Sequence, residues 1–372
     1  MKIQKLLCTI LTICVLFLCG CSQNDNRTVI QFASWGSKSE IDILKPILAE
    51  FEHENPDIKI DFMHIPQNYF QKIHLLFASN TAPDVIFINN LYLPIYANAG
   101  VLEELKTPEG FYPQAINALS WNGKLYAIPR DVSDLVIYYN KDLFDKKQIP
   151  YPDGSWDFQK FLETAQKLTD KDTFGINFEE KPLYYLPYLM SNGGGILPDE
   201  INKPESQQSL RFYADLRKKY HVAPLKSESA SATTAQMFLQ ERLGMYLSGR
   251  WMVPKFREEC RFDWDVVRFP KGTKGSIVSL DASGWAVSKY SHHKKEAQKF
   301  IDYLSSKEIC EKFTQSGLIV PARLDVSIED GKKPAHARVF TDIIKDAKPT
   351  PVTVDYNEIT DKLNKKLESM FN

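Results

Sequence analysis

The sequence lacks the motifs that would mark it as an enzyme or a metalloprotein. It contains no GxxxxGK[ST], GxGxxG, GxSxG or HExxH motif, so phosphate-cradling loops, dinucleotide-binding turns, nucleophile elbows and helical zinc pairs are unsupported. Carboxylates are numerous, but their spacing nominates no acid/base couple. Without a CxxC pair, a zinc or redox site is also unsupported. We therefore predict no enzymatic activity, no cofactor and no metal site.

The sequence also has no large excess of positive or of negative charge. The net charge is -1, and no basic stripe suits a nucleic-acid backbone or an anionic membrane surface. No internal repeat or long low-complexity linker interrupts the 372 residues, which suffice for two ordinary domains. We expect a globular monomer that does not bind nucleic acid.

Cysteine is scarce outside the amino-terminal segment. The body of the chain retains Cys260 and Cys310, whereas the other cysteines are Cys8, Cys14, Cys19 and Cys21. An exported pair could form a disulfide, but no local pattern brings Cys260 and Cys310 together. We therefore expect two separate thiols.

The amino terminus has the pattern of an export signal. Lys2 and Lys5 precede the apolar stretch Leu6–Leu18, which is too short to span a bilayer comfortably. Leu18-Cys19-Gly20-Cys21 resembles a bacterial lipobox with Cys21 as the lipidated residue, although Cys19 replaces the usual small residue. Residues 1–21 would then be a lipoprotein signal peptide, and the alternative is an ordinary signal peptide with chance cysteines. Residues 22–27 would form a polar tether, and acyl chains alone would hold the protein at the cell envelope, in the periplasm or on the outer face of the cytoplasmic membrane.

Strand and helix patterns alternate through the first hundred residues. Val29–Trp35, Ile58–Phe62 and Pro83–Ile88 are predicted strands, and helical spacing recurs over Ile41–Phe51, Phe70–Phe77 and Leu91–Leu105. Pro46 should kink the first of these helices or delay its start. The alternation indicates an α/β fold with helices covering a sheet. Further on, Ser155 is predicted to cap a helix that ends at Leu168.

The segment Trp121–Phe144 is the most informative part of the body. Asn122-Gly123 predicts a tight hairpin, and the dense apolar run from Val132 to Tyr139 predicts a strand buried on both faces. The charged insert Arg130–Asp134 interrupts these elements. It is either a solvated turn or a place where the chain crosses between two domains through a cleft that uses the charges.

Aromatic and polar side chains recur at predicted strand ends and helix starts. Ligands of α/β sheets bind at strand ends, and flat rings combined with carboxylates and amides suit a sugar. Core packing or capping is the alternative for each residue taken singly. The candidate ligand-binding residues are Trp35, Asp84, Asn89, Asp131, Ser133, Asp134, Tyr184, Arg250, Trp251, Asp281, Trp285 and Tyr356.

An ordered series of short segments resembles the family 1 extracellular solute-binding proteins of ABC importers, in the group of maltose/maltodextrin-binding proteins. The resemblance covers nearly the whole mature chain, and no single segment decides it. The segments are Phe51-x4-Pro56-x-Ile58, Ala82-Pro83-Asp84-Val85, Ala99-Gly100-x-Leu102-x-x-Leu105, Gly123–Pro129, Tyr139–Phe144, Ser155-Trp156-Asp157, Gly249-x-Trp251 and Gly284-Trp285-Ala286-Val287.

The resemblance implies a two-lobed, periplasmic-binding-protein-like (type II) α/β fold, in which each lobe is a mixed sheet flanked by helices and a ligand cleft lies between the lobes. The chain would cross between lobes near Arg130–Ser133, Ser279–Ser283 and Gly317–Pro321. One lobe would comprise residues 28–130 and 282–320, and the other residues 131–281 and 321–372.

The family's motifs also suggest roles for individual residues. Asp84 matches an acid that often bonds sugar hydroxyls, Trp251 matches a stacking aromatic, and Trp285 matches the glycine–tryptophan step. Asp131, Ser133 and Asp134 match polar residues before the Tyr-Asn-Lys-Asp motif, and Tyr356 matches a late aromatic loosely. Arg250 is less usual at its position and leaves a charged or acidic ligand open.

Three functions follow from these expectations. The favoured one is a lipid-anchored subunit that captures a sugar or oligosaccharide and delivers it to ABC permease subunits. The second keeps the fold but binds glycerol phosphate, a polyamine or ferric iron; the tyrosine pairs Tyr138-Tyr139 and Tyr184-Tyr185 could serve iron but also suit packing. The third is an exported glycan-processing enzyme.

Overall fold

The computed structural model describes residues 26–229, 232–328 and 332–372. The predicted export segment, with Cys21 and most of the tether, lies outside these residues. Within the described ranges, no helix is long and apolar enough to cross a membrane. Cys260 and Cys310 are both free thiols, which confirms that they are separate.

Strands and helices alternate along the chain. The described strands are β1 (Thr28–Ser34), β2 (Ile58–His64), β3 (Val85–Asn89), β4 (Ser120–Trp121), β5 (Lys124–Leu125), β6 (Ile128–Ser133), β7 (Val136–Asn140), β8 (Met245–Ser248), β9 (Trp264–Val267), β10 (Ser279–Val287), β11 (Val320–Pro321) and β12 (Lys348–Pro349). The described helices are α1 (Lys38–Glu54), α2 (Tyr69–Ala78), α3 (Leu93–Asn98), α4 (Pro113–Ala118), α5 (Lys141–Lys146), α6 (Phe158–Leu168), α7 (Pro182–Ser191), α8 (Pro204–Lys218), α9 (Thr234–Leu239), α10 (Val253–Glu259), α11 (Lys294–Leu304), α12 (Lys307–Gln315), α13 (Val339–Asp342) and α14 (Tyr356–Phe371). A 3₁₀ turn at Arg250–Met252 leads into α10.

The larger sheet combines distant stretches of the chain. Its strand order is β11-β6-β10-β3-β1-β2, and β12 pairs with the start of β10. β1 is parallel to β2 and β3, whereas β10 is antiparallel to β3 and β6. Helix α11 packs on β1, β6 and β10. The sheet is therefore mixed, and its strands come from both halves of the chain.

A second sheet, in the order β8-β7-β9, lies farther along the chain. Both neighbours of β7 are antiparallel to it, and every residue of β7 is buried. A parallel bridge between Phe174 and Leu243 extends this sheet beyond its named strands. Strand β7 is therefore buried on both faces.

The segment Trp121–Phe144 joins the two sheets. The predicted hairpin at Asn122-Gly123 is confirmed, and both residues have positive φ angles of 50° and 77°. The apolar run Val132–Tyr139, however, does not form one strand: β6 ends in the large sheet at Ser133, and β7 begins in the second sheet at Val136. The charged insert is therefore a crossing between sheets and not a solvated turn.

Three local predictions needed correction. Helix α1 runs through Pro46 from Lys38 to Glu54, so its start is not delayed; a proline within a helix can be accommodated at the cost of one backbone hydrogen bond, and the kink at Pro46 stays a prediction. The helix predicted over Leu91–Leu105 with a break at Gly100 forms only as α3 before the break, and the break itself is confirmed by the turn at Gly100, whose φ is 69°. Asp157, and not Ser155, caps α6 by accepting a hydrogen bond from the Lys160 amide.

Candidate functional site

Two adjoining cavities lie where the carboxyl ends of β1 and β3 meet the sheet crossing. The inner cavity has a volume of about 240 Å³ and draws its walls from both sheets; it is lined by Trp35, Glu40, Arg130, Asp131, Val132, Ser133, Arg250, Trp251, Ser283, Leu318, Ile319 and Val320. The outer cavity, of about 870 Å³, shares Trp35 and Glu40 with the inner one and is also lined by residues such as Lys45, His64, Gln67, Phe70 and Tyr92. The two cavities are therefore neighbours with two common wall residues, and we refer to them together as the cleft.

Strand register explains why the walls converge here. Ser283 on β10 lies opposite Asn89 at the end of β3 and opposite Asp131 on β6. Trp35 directly follows β1, which is parallel to β3. Because parallel strands end at the same edge of a sheet, side chains at these ends face one space.

The Trp35 ring is held by other aromatic rings. It makes edge contacts with Tyr69, Phe70 and Phe87, with ring centroids 5.6, 5.2 and 5.0 Å away. Edge-to-face packing of this kind fixes a ring's orientation. Trp35 is only half-buried, so it remains available to both cavities.

A buried arginine holds two carboxylates at the inner cavity. Arg130 donates from Nη1 to Glu40 (2.5 Å) and from Nη2 and Nε to Oδ2 of Asp131 (2.7 and 3.2 Å). Its guanidinium lies 4.4 Å from the centre of the Phe87 ring. Burial acts to lower the pKa of Arg130, but Asp131 and Glu40 together raise it above its ordinary value. The arginine therefore stays charged and fixes both acids.

Asp131 keeps one oxygen for another partner. Burial raises the pKa of Asp131 despite the opposing effect of Arg130. Its Oδ1 atom is buried and makes no hydrogen bond of good geometry within the described residues, although the Ser283 hydroxyl lies near enough to the carboxylate to act against the rise in its pKa. An unpaired buried acceptor costs free energy unless something donates to it. A ligand hydroxyl in the inner cavity would meet this requirement.

Trp251 forms the wall contributed by the second sheet. It is half-buried and lies on the 3₁₀ turn after β8. A Cβ added to Gly249 would lie 1.9 Å from Cζ3 of Trp251, while the φ of Gly249 is -98°. Glycine is therefore needed here to make room for the ring, and not to allow a sharp turn.

Arg250 lines the inner cavity and uses both of its Nη atoms in hydrogen bonds to backbone oxygens. The side chain is 3% exposed and donates to the backbone oxygens of Ile319 (2.7 Å) and Thr314 (3.0 Å). Burial lowers its pKa to about 10. This arrangement gives Arg250 a role in joining the two sheets, and its contact with a ligand stays a prediction.

Asp134 is buried beside the cleft without lining it. It is 1% exposed, and neither carboxylate oxygen has a hydrogen-bond partner within the described residues. Burial raises its pKa well above the ordinary value, and Arg250 offsets this only in part. The expected ligand contact is not met in this arrangement, because the side chain does not border either cavity.

Two candidates lie away from the cleft, and their assignments are corrected. Asp84 is at the opposite end of β3, where it accepts hydrogen bonds from the Gln31 amide (2.9 Å) and the Ser291 hydroxyl (2.5 Å). Trp285 has 0% exposure and packs edge-on against Phe32 and Phe87. Asp84 thus holds the start of β3 to neighbouring backbone and side-chain donors, at the end of the strand opposite the cleft. Trp285 packs in the core of the large sheet.

The remaining candidates lie around the cleft or behind it. Asn89 is half-buried at the end of β3, and its side chain accepts from the Tyr92 amide. Asp281 accepts from Asn90 (3.0 Å), and burial raises its pKa. Tyr356 is 6% exposed, and Tyr184 is half-buried on α7. None of the four lines the inner or outer cavity, so the cleft brings together Trp35, Asp131, Ser133, Arg250 and Trp251.

Sequence reasoning missed Glu40 and Arg130. Glu40 follows Ser37 in a Ser-x-x-Glu pattern, and the Ser37 hydroxyl does accept from the Glu40 amide as in a capping box. The carboxylate, however, turns to Arg130. The sequence did offer one signal for these contacts: the charged pair Arg130-Asp131 lies next to a strongly apolar run. Because buried charges need partners, such a pair predicts a further acidic partner from elsewhere in the chain.

Comparison with known proteins gives a consistent match. The model of the family described as bacterial extracellular solute-binding protein matches residues 47–339. An ABC substrate-binding protein from Listeria monocytogenes, solved in complex with cycloalternan, is 27% identical, with a TM-score of 0.86 over 93% of this chain and 94% of that one.

Two curated relatives extend the comparison. A galactooligosaccharide-binding protein of Bacillus subtilis is 23% identical over 100% of this chain and 93% of its own length. A lipoprotein of Streptomyces antibioticus is 26% identical over 79% of this chain and 71% of its own. The fold is the two-lobed fold of such binding proteins: a first lobe holds the large sheet, a second lobe holds the second sheet, and the cleft lies between them.

Proposed function

Because the chain belongs to the family of bacterial extracellular solute-binding proteins, we propose that it captures an oligosaccharide in its cleft and delivers it to the permease subunits of an ABC importer. The observation that carries this proposal is that the inner and outer cavities adjoin and share Trp35 and Glu40 in their walls. The inner cavity suits one sugar ring, and the outer cavity falls within the roughly 300–1,000 Å³ usual for ligand pockets.

The chemistry of the cleft fits a carbohydrate. Trp35 and Trp251 offer flat apolar surfaces from the two lobes, and Oδ1 of Asp131 offers an unpaired acceptor. Sugars present C–H faces to rings and hydroxyl donors to carboxylates. The relatives that bind galactooligosaccharide and cycloalternan support the same class of solute.

Isothermal titration with glucose, a disaccharide and a tetrasaccharide tests the proposal. We expect affinity to rise by about tenfold or more from the monosaccharide to the tetrasaccharide, because each ring added beyond the inner cavity enters the outer one. Equal affinity for all three would limit the solute to the inner cavity. Binding of glycerol phosphate, a polyamine or ferric ion, with no binding of sugars, would overturn the proposal.

The competing functions have less support in the geometry. Tyr138 donates its hydroxyl proton to the Gly249 backbone oxygen (2.8 Å), and Tyr185 donates to Asn364 (3.1 Å). Within the described residues, no group of three or more His, Cys, Asp or Glu side chains could hold a metal ion. A glycan-processing activity would appear as product formed from a labelled oligosaccharide, and we expect none.

We also propose the lobe boundaries and the anchor. The bounds expected from the sequence are residues 28–130 and 282–320 for the first lobe and 131–281 and 321–372 for the second; the pairing of Asp281 with Ser133, and of Pro321 with Asp131, would extend the first lobe to residues 133, 281 and 321. Since β6 stays in the large sheet to Ser133, the first crossing would fall at Asp134-Leu135. Lipidation of Cys21 would hold a monomer at the outer face of the membrane; Cys21→Ser should release it or leave it unprocessed, and unchanged membrane retention of a correctly cleaved variant would contradict the anchor.

A further inference from the structure

Arg250 joins the second lobe to the first. It follows β8 and donates to the backbone oxygens of Thr314, in the last turn of α12, and Ile319, just before β11. Both acceptors belong to elements that pack with the large sheet. The carboxyl end of a helix is its negative pole, so a guanidinium is favoured there.

Arg257 on α10 reinforces the same contact. Its Nη1 atom lies 3.4 Å from the Ser316 backbone oxygen. At Gly317, whose φ is 89°, a Cβ would lie 2.7 Å from that Nη1 atom. Two arginines of the second lobe therefore hold residues 314–319 of the first. We call this contact the arginine latch.

Asp134 lies near Arg250. β7 and β8 are antiparallel, with Val136 opposite Ser248. Asp134 precedes Val136 by two residues and Arg250 follows Ser248 by two, so both flank the same end of this strand pair, and the charge of Arg250 acts on the Asp134 carboxylate. Both oxygens of Asp134 nevertheless lack a hydrogen-bond partner within the described residues, because Arg250 bonds to the first lobe instead.

We propose that Arg250 exchanges partners as the lobes move. In the latched arrangement it bonds to the Thr314 and Ile319 oxygens, and when the lobes separate it bonds to the carboxylate of Asp134. The pairing of β7 with β8 keeps Asp134 and Arg250 together during the movement. The solute part of this inference rests on the proposed function, because a solute between Trp35 and Trp251 would favour the latched arrangement.

The exchange couples solute binding to the uptake of a proton by the Asp134 carboxylate. The charged and titratable groups around Asp134 are Arg250 and the hydroxyl of Tyr138, which itself donates to Gly249. In the latched arrangement burial raises the pKa of Asp134 and favours its neutral form. A hydrogen bond from Arg250 in the separated arrangement would lower that pKa. The latched arrangement therefore holds an additional proton and becomes more populated as pH falls.

Titration calorimetry with a tetrasaccharide from about pH 5 to about pH 8, above the ordinary Asp pKa, tests the inference. For the wild type we expect affinity to fall as pH rises. Asp134→Asn keeps the shape but removes the charge that competes for Arg250, so it should bind about threefold tighter near pH 8 and lose most of the pH dependence. Asp302→Asn, which removes an exposed carboxylate, should behave as the wild type.

Small-angle scattering of the solute-free protein provides a readout that does not depend on the ligand. The radius of gyration should increase with pH in the wild type and remain low in Asp134→Asn. Arg250→Lys keeps the charge, but its single amino group cannot reach both backbone oxygens, so this variant should be more open at every pH; Arg211→Lys, at an exposed site, is its control.

Two results would overturn the exchange. One is an Asp134→Asn variant with wild-type pH dependence of affinity. The other is a wild-type radius of gyration that does not change with pH. If no sugar binds at all, the proposed function fails, whereas scattering still decides whether the latch responds to pH.

Discussion

Two segments of this protein combine a glycine with a tryptophan, but one tryptophan is buried in the core and the other lines a cavity. Gly284-Trp285 lies on β10, and the Trp285 ring has 0% exposure within the core of the large sheet. Gly249-Arg250-Trp251 lies after β8, and the Trp251 ring forms a wall of the inner cavity. Similar sequence motifs therefore give a core residue in one lobe and a candidate ligand contact in the other.

The two glycines differ in what occupies the space of their missing Cβ. At Gly284 a Cβ would lie 2.1 Å from the backbone oxygen of Ile128, beside an irregularity in the β6–β10 pairing. At Gly249 it would lie 1.9 Å from the Trp251 ring. Backbone cannot move without disturbing the sheet, whereas a ring can rotate. In both places the absence of a Cβ leaves room for a close neighbour. At Gly284 that neighbour is sheet backbone, and at Gly249 it is the ring of a candidate ligand-binding residue.

The largest effect should come from Trp285→Ala. Emptying this core site should lower the free energy of unfolding by roughly 3–5 kcal/mol, the usual cost of a buried Trp-to-Ala change. Denaturant unfolding measures it. A variant with wild-type stability would mean that Trp285 is not part of the core.

Gly284→Ala should come next. Its Cβ meets the Ile128 backbone, so the β6–β10 pairing must shift, at a cost of about 1–3 kcal/mol in unfolding free energy. The same denaturant series serves for measurement. Stability equal to that of the wild type would show that the strands accommodate a methyl group without strain.

Trp251→Ala should act on binding and not on stability. Removing a stacking surface should cost on the order of 2 kcal/mol of binding free energy, which is about thirtyfold in affinity. Calorimetry and thermal melts of the same variant separate the two effects. Lost stability with retained affinity would reassign Trp251 to the core and place the sugar elsewhere.

Gly249→Ala should have the smallest effect. The new methyl group displaces the Trp251 ring without removing it, so we expect affinity to fall by up to about tenfold, or about 1.4 kcal/mol, with little change in the melting temperature. The double variant with Trp251→Ala is the control: once the ring is absent, the Gly249 change should have no further effect on affinity. Additive losses would show that Gly249 acts through another contact.

Local patterns were sufficient where neighbouring residues decide the structure. The Asn122-Gly123 hairpin formed as predicted, since both residues tolerate positive φ. The cap of α6 was misplaced because Ser155 and Asp157 are both good cap residues. In the structure Ser155 instead bonds to Asp153, a choice that depends on the fold of the preceding turn.

The candidate site was less predictable, because it depends on contacts between distant residues. Trp35, Asp131, Ser133, Arg250 and Trp251, predicted as ligand-binding residues, all line the inner cavity, and their contact with a ligand stays a prediction. Their partners were not foreseen: Glu40 reaches Arg130 from α1, and residues 314–319 reach Arg250 from the other lobe. No local spacing encodes such pairings.

The sequence by itself determined the alternation of strands and helices, the hairpin and the membership in a binding-protein family. These follow from periodicity, turn chemistry and ordered motifs, all of which are local. The tertiary structure decided that the apolar run Val132–Tyr139 divides between two sheets, that Trp285 is core and that Trp251 is cleft wall. The physical reason is that burial depends on which surface packs against a residue, and strand register across distant segments sets that surface.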